Sequence, residues 1–173
     1  VIFEFGSGVS TIVLAKYAQE YDCKIFTLDD NFEYLTKTYN NVFGTYPDNK
    51  ITFIYSPQAY KDFLENLGLN DKLDLLIIDG PHGERFNEFA KNFYRKFISQ
   101  ETVCIIDDTD HEDINLFTEK LAKEKNLKKF DYKNSFYSLY HQYSILIAEL
   151  PTNTWHIILN YCKLKVAGRV WDA

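Results

Sequence analysis

The sequence contains no methionine, and its 173 residues include only three cysteines, four prolines and seven glycines. The cysteines, Cys23, Cys104 and Cys162, are odd in number and far apart in the sequence. Neither a disulfide framework nor a zinc-binding pattern can be built from such a set. Cys23 and Cys104 lie in apolar runs, which favours buried, reduced thiols and therefore the cytoplasm.

The sequence also lacks a long apolar run and an excess of positive charge. No run approaches the length of a membrane-spanning helix, and no signal peptide is visible. The 25 acidic and 19 basic residues leave a net charge of −6. Because an acidic surface repels a phosphate backbone, nucleic acid is not expected as the main partner. A small neutral or cationic ligand is compatible with this charge.

The composition is that of a folded domain. Hydrophobic residues make up 46% of the chain and aromatic residues 17%, and the length suits one domain with a substantial core. We expect that domain over residues 1–150 and a C-terminal extension over residues 151–173. The chain starts without methionine inside an apolar stretch, so we expect a further segment before Val1.

A glycine turn lies near the start of the chain. Residues 1–5 are a short apolar run typical of a buried strand, and Gly6-Ser7-Gly8 follows as a tight turn. An apolar-periodic run over residues 12–21 predicts a helix, with the hydroxyls of Ser10 and Thr11 available to cap it. Because glycines let a backbone approach a ligand and a helix start offers free N–H groups, this arrangement favours a nucleotide-cofactor site.

The acidic residue before the turn indicates which cofactor the site binds. Glu4 precedes the first glycine by two residues, and this acid-x-Gly-x-Gly turn resembles motif I of the class I S-adenosylmethionine (SAM) methyltransferases. The resemblance implies that Glu4 helps to hold the methionine end of SAM. Thr11 replaces the third glycine of the dinucleotide fingerprint, which weighs against the alternative, an NAD(P)-binding oxidoreductase. A strand–turn–helix without a ligand is the other interpretation. The resemblance places five residues of this segment at the cofactor: Glu4, Gly6, Ser7, Gly8 and Ser10.

The second and third predicted strands supply further candidate cofactor contacts. The second covers residues 23–28, and the acid that follows such a strand accepts hydrogen bonds from ribose hydroxyls. We assign Asp29 to the ribose and Asp30 to the N-cap of a helix over residues 32–39, ahead of a turn-rich connection. After a third strand over residues 51–55, Gln58 could bind the adenine amine, although helix capping by Ser56 explains the same loop.

The middle of the chain predicts a parallel sheet. The apolar runs 73–78 and 102–106 show no clean alternation, which is typical of parallel strands buried on both faces. Aromatic residues at helical spacing over 86–97 predict a crossover helix with a core-facing stripe. A further helix is predicted over residues 114–125.

The end of the domain predicts an antiparallel strand pair. The last strand is expected over residues 143–149 and its partner over either 128–132 or 136–140. The predicted fold class is α/β, a doubly wound, mostly parallel Rossmann-like sheet with an antiparallel C-terminal strand pair. Within 151–173, an amphipathic pattern predicts a helix that docks on the domain or a partner, with a membrane surface as the alternative.

Acidic residues follow the fourth and fifth predicted strands. Asp79 comes after one, and Asp107 and Asp108 come after the other. Ligands bind at the carboxyl edge of such sheets where the winding reverses, so we expect Gly6–Gly8 to face Asp79 and Asp79 to contact the cofactor. Three close carboxylates repel one another unless they are protonated or paired with a cation. These segments are similar to small-molecule and sugar O-methyltransferases. The resemblance to the metal-dependent members implies Mg²⁺ or Mn²⁺ at Asp79, Asp107 and Asp108.

The sequence differs from these relatives at the position of the catalytic base. The sugar methyltransferases carry a second acid two residues after the first, and here Pro81 stands there. His82 is the nearest replacement, so we expect His82 and Asp79 to be catalytic; a loop histidine without a role is the alternative. The implied reaction methylates a hydroxyl of a small-molecule or carbohydrate acceptor. Because Pro81 stands at the position of the base, a non-catalytic domain that serves as a partner module is a further alternative. A homo-oligomer is also possible from the sequence.

Overall fold

The computed structural model describes residues 1–57, 73–80, 88–133 and 142–148. These residues form strands and helices that alternate through most of the chain. In order they are β1 Ile2–Phe5, α1 Val9–Glu20, β2 Ile25–Asp29, α2 Phe32–Thr45, β3 Ile51–Tyr55, β4 Leu75–Ile78, α3 Glu88–Phe97, β5 Val103–Ile106, α4 Glu112–Lys125, β6 Lys128–Lys133 and β7 Gln142–Ile147.

The seven strands form one sheet in the order β3-β2-β1-β4-β5-β7-β6. β1 pairs in parallel with both β2 and β4, and β7 pairs antiparallel with β5 and β6. The chain therefore winds outward from β1 to one edge and returns to build the other half from β4. This confirms the predicted doubly wound sheet with its antiparallel end, and it places the penultimate strand at Lys128–Lys133.

The two faces of the sheet are covered by separate hydrophobic clusters. On one face the rings of Phe3 and Phe5 contact Phe93 of α3, with centroids 5.0 and 5.4 Å apart. On the other face, Leu14 of α1 belongs to the cluster that includes Ile77 of β4. Every residue of β1, β4 and β5 is buried, as the unbroken apolar runs predicted. Of the aromatic stripe on the crossover helix, the described rings of Phe93, Tyr94 and Phe97 lie in the core.

Cys104 lies fully buried within β5, and burial raises the pKa of its thiol. Cys23 is partly buried just before β2, and burial also raises its thiol pKa. Both are free cysteines. The expectation of reduced thiols is met at these two positions, because a raised pKa keeps the thiol protonated and unreactive.

Two predictions about α2 were wrong. α2 runs to Thr45 rather than residue 39, so the first part of the predicted turn-rich connection is helical. The helix continues because Thr38 and Val42 pack into the core, and this burial outweighs the weak helix propensity of Gly44. Its N-cap is Asn31 and not Asp30, because the Asn31 side chain accepts from the Tyr34 N–H at 3.0 Å.

Several predicted features lie outside the described residues: the helix after β3 with Gln58, the segment with Pro81 and His82, the alternative strand over 136–140, and the C-terminal extension 151–173. Within the part of the chain that is described, no helix has both the length and the apolar character needed to span a membrane.

Candidate functional site

The glycine turn lies where the carboxyl ends of β1 and β4 meet. Gly6 adopts a φ of +87°, and its N–H donates to the Leu28 carbonyl at 2.8 Å. A Cβ on Gly6 would lie 2.8 Å from the backbone nitrogen of Gly80 and 2.9 Å from the carbonyl carbon of Asp79. The turn therefore faces Asp79, as predicted, and only glycine permits this approach.

The second glycine begins α1. Gly8 is the N-cap, with φ +155° and ψ −137°, a conformation that side chains other than hydrogen rarely permit. Its N–H donates to the Thr11 hydroxyl oxygen at 2.9 Å, so Thr11 closes the turn where a dinucleotide fingerprint has its third glycine. Ser10 is buried in the first turn of the helix. The predicted start of this helix at residue 12 was wrong, because α1 begins at Val9 and Thr11 closes the turn from inside the first turn of the helix.

Glu4 supports the turn from within the sheet. Its side chain is fully buried, and its Oε2 accepts from the hydroxyl of Thr11 at 2.7 Å and from the hydroxyl of Thr27. Through these two hydrogen bonds Glu4 couples α1 to β1 and β2. Its direct role at the methionine end of a cofactor stays a prediction.

Asp29 connects the glycine turn to the start of α2. Its Oδ2 accepts from both the backbone N–H of Ser7 (2.8 Å) and the hydroxyl of Ser7 (2.6 Å), and its Oδ1 accepts from the Asn31 N–H at 2.9 Å. A carboxylate offers about four acceptor positions, so these three bonds leave capacity for about one more. Asp29 is 7% exposed and lies at the carboxyl edge of β2, where a ribose contact is predicted.

The loop after β5 brings Asp107 and Asp108 to the same edge. Both are buried, and the Asp107 N–H donates to the Ile78 carbonyl of β4 at 2.9 Å. Asp108 adopts a left-handed backbone with φ +57°. His111 is the N-cap of α4 and makes no side-chain capping bond.

A chain of hydroxyl contacts fixes this loop to β7. The Thr109 N–H and hydroxyl both donate to the Gln142 carbonyl, at 2.7 and 3.1 Å. The Ser144 hydroxyl lies 3.0 Å from that of Thr109 and bonds Asp131 of β6. The antiparallel strands thus hold the backbone that carries Asp107 and Asp108. This role was not predicted, and its signal in the sequence is Ser144 beside the apolar residues of β7.

The three aspartates do not form a metal centre as they stand. Among the residues that the structure describes, no three His, Cys, Asp or Glu side chains form a group that could hold a metal ion. Asp79, Asp107 and Asp108 share one edge of the sheet, but strand ends fix only the backbone, and the loops decide where the carboxylates lie. The predicted Mg²⁺ or Mn²⁺ site is therefore not shown at these residues, and it stays a prediction.

A comparison with protein families finds one match that covers this edge of the sheet. The model of a methyltransferase domain matches residues 3–109, which include the glycine turn, Asp29, Asp79 and the acids after β5. This chain belongs to that family. The resemblance to class I SAM methyltransferases is confirmed at this level. A search of curated protein sequences finds no significant relative of the methyltransferase domain.

Solved structures resemble the methyltransferase domain in fold. They include the O-methyltransferase TomG of Streptomyces achromogenes in complex with SAM, at 16% identity and a TM-score of 0.64, over 84% of this chain and 71% of that one. The O-methyltransferase of Bacillus cereus in complex with SAH, S-adenosylhomocysteine, has 17% identity and a TM-score of 0.64, over 84% and 73%. Human methyltransferase-like protein 13 with SAH has 13% identity and a TM-score of 0.58, over 94% and 78%.

The left-handed backbone at Asp108 gives a first prediction for the methyltransferase domain. A left-handed conformation costs an L side chain roughly 1–2 kcal/mol, whereas glycine adopts it freely. Asp108→Gly should therefore be more stable than Asp108→Ala by about 1 kcal/mol, although glycine is normally the less stable of the two. The two variants lose the same carboxylate, so their difference isolates the backbone. Urea unfolding measures it, and a more stable alanine variant would contradict the left-handed assignment.

Proposed function

We propose that this methyltransferase domain transfers the methyl group of SAM to a hydroxyl oxygen of a small-molecule or carbohydrate acceptor. The observation that carries the proposal is the construction of the glycine turn. Gly6 and Gly8 keep side chains away from the carboxyl edge, and Asp29, tied to Ser7, stands beside them. The comparison proteins bound to SAM and SAH share this fold, and O-methyltransferases among them support an oxygen acceptor.

The described residues fit the chemistry of SAM. The start of α1 at Gly8 offers backbone N–H groups and the positive end of a helix dipole, which suit the carboxylate of the methionine part. The acceptor position left on Asp29 suits a ribose hydroxyl. The first turn of α1 contains no acidic residue that would repel an anion.

SAM supplies the reactive methyl group, and the chain has to align the acceptor with it. Holding the two reactants in the correct orientation supplies a large part of the rate acceleration. The backbone of Asp79 lies against Gly6 at the centre of the edge, and a catalytic role of its side chain stays a prediction. A hydroxyl is a poor nucleophile at neutral pH, and a base that removes its proton contributes typically 10²–10⁴-fold. His82 as that base stays a prediction, because it lies outside the described residues.

Binding experiments test the cofactor directly. Isothermal titration calorimetry of the whole chain should show saturable binding of SAH and SAM but not of NADH. SAH affinity should be the same in EDTA and in Mg²⁺, since the proposed contacts at Gly8 and Asp29 need no cation. Methyl transfer is then followed with radiolabelled SAM against a panel of phenols, alcohols and sugars. Binding of NADH without SAH would overturn the proposal in favour of an oxidoreductase. SAH binding with no transfer to any oxygen acceptor would reject the O-methylation step.

A further inference from the structure

The space above Gly8 is bounded by an aromatic residue that the family resemblance does not assign. A Cβ on Gly8 would lie 3.3 Å from the hydroxyl oxygen of Tyr34 and 3.6 Å from its ring carbon Cε1. Tyr34 stands in the first turn of α2, and its backbone N–H is held by the Asn31 side chain at 3.0 Å. The phenol therefore reaches across from α2 to the glycine turn.

Tyr34 is accessible at this position. The residue is 47% exposed although its hydroxyl approaches the backbone of Gly8. A phenol can both donate and accept a hydrogen bond. A ligand that lies along the Gly6–Gly8 turn would consequently meet the Tyr34 side chain.

Because Asp29 already accepts three hydrogen bonds, a second polar group is needed to bind both hydroxyls of a ribose. Ser7 occupies Oδ2 with two donors, and Asn31 occupies Oδ1 with one, which leaves about one acceptor position on the carboxylate. A ribose presents two neighbouring hydroxyls, and a hydroxyl that is desolvated without a partner costs binding energy. Asp29 alone can serve about one of them in this arrangement.

From this geometry we infer that Tyr34 is a binding residue for the ribose of the cofactor and shares the two hydroxyls with Asp29. The inference rests on the proposed function, because it requires an adenosyl ligand in the glycine turn. Asp29 accepts a hydrogen bond from one ribose hydroxyl, and the Tyr34 phenol forms a hydrogen bond with the other. The ring of Tyr34 at the same time narrows the space over Gly8, so bulkier substituents at the ribose are disfavoured.

The test compares Tyr34→Phe with wild-type protein, using calorimetry for SAH and competition against SAH for two weaker ligands. Adenosine keeps the ribose and lacks the amino-acid part, and 2′,3′-dideoxyadenosine lacks both ribose hydroxyls. Loss of one neutral hydrogen bond should weaken SAH and adenosine alike, by roughly three- to tenfold. Affinity for dideoxyadenosine should not change. Tyr39→Phe is the matched control, since Tyr39 lies on the same helix, is 41% exposed and packs against Phe53.

Each result decides the inference. Unchanged SAH affinity in Tyr34→Phe, while wild-type protein binds SAH, rejects Tyr34 as a ribose contact and leaves the proposed function intact. Weakened SAH binding with unchanged adenosine binding also rejects it, because the contact would then be to the amino-acid part. Wild-type protein that binds neither SAH nor adenosine rejects the proposed function itself. A thermal unfolding midpoint equal to that of wild-type protein shows that the variant is folded.

Discussion

Replacing Gly6 by alanine should lower the free energy of unfolding by roughly 2–5 kcal/mol and abolish measurable SAH binding. The added Cβ would lie 2.8 Å from the backbone nitrogen of Gly80, a distance that cannot be relieved by rotating a side chain. Overpacking of this kind typically costs 1–3 kcal/mol, and the φ of +87° adds roughly 1–2 kcal/mol of backbone strain for an L residue. Relief would require the ends of β1 and β4 to separate, which would deform the cofactor edge.

Urea unfolding at 25 °C measures the loss of stability, and calorimetry with SAH measures the loss of binding. Gly44→Ala is the matched control, because Gly44 lies in α2 and an added Cβ there meets nothing within 4 Å. Alanine is the better helix former, so this control should gain up to about 1 kcal/mol. If Gly6→Ala instead unfolds at the wild-type urea concentration, the close approach of the two strands is wrong.

Asp29→Ala should weaken SAH binding by roughly 10- to 100-fold. The loss has two parts, since the ribose loses a charged acceptor and Ser7 loses the partner that fixes the glycine turn. Hydrogen bonds to charged groups contribute about 1.5–3 kcal/mol, and 1.4 kcal/mol corresponds to tenfold in affinity. Asp29→Asn keeps one acceptor oxygen and should lose less than the alanine variant.

Asp30→Ala is the control that distinguishes a specific contact between Asp29 and the ribose from a general effect of negative charge on SAH binding. Asp30 is the exposed neighbour of Asp29, and the N-cap of α2 is Asn31. Its replacement should leave SAH affinity within twofold of wild type, because surface charges are screened. Equal losses in Asp29→Ala and Asp30→Ala would show that charge, and not a specific ribose contact, governs binding. Calorimetry at two salt concentrations distinguishes these cases.

Most of the strands, and the neighbouring positions of β1 and β4, followed from patterns that are local in the sequence. The unbroken apolar runs of β1, β4 and β5 require burial on both faces, and helices between them require parallel pairing. For this reason we could predict the doubly wound sheet and the reversal of its winding between β1 and β4. The position of the glycine turn followed from the same patterns. The end of α2 could not, since Val42 is held in the core by contacts that a local pattern does not contain.

The sequence by itself determined which chemical groups reach the carboxyl edge of the sheet, because strand ends and turn glycines are encoded within a few residues of one another. The tertiary structure alone decided how those groups are used. It pairs Asp29 with Ser7, buries Glu4 against two threonines and gives Asp108 a left-handed backbone. It also leaves the three aspartates short of a metal centre within the described residues. Side-chain partners depend on distances between segments far apart in the chain, and only the folded chain fixes those distances.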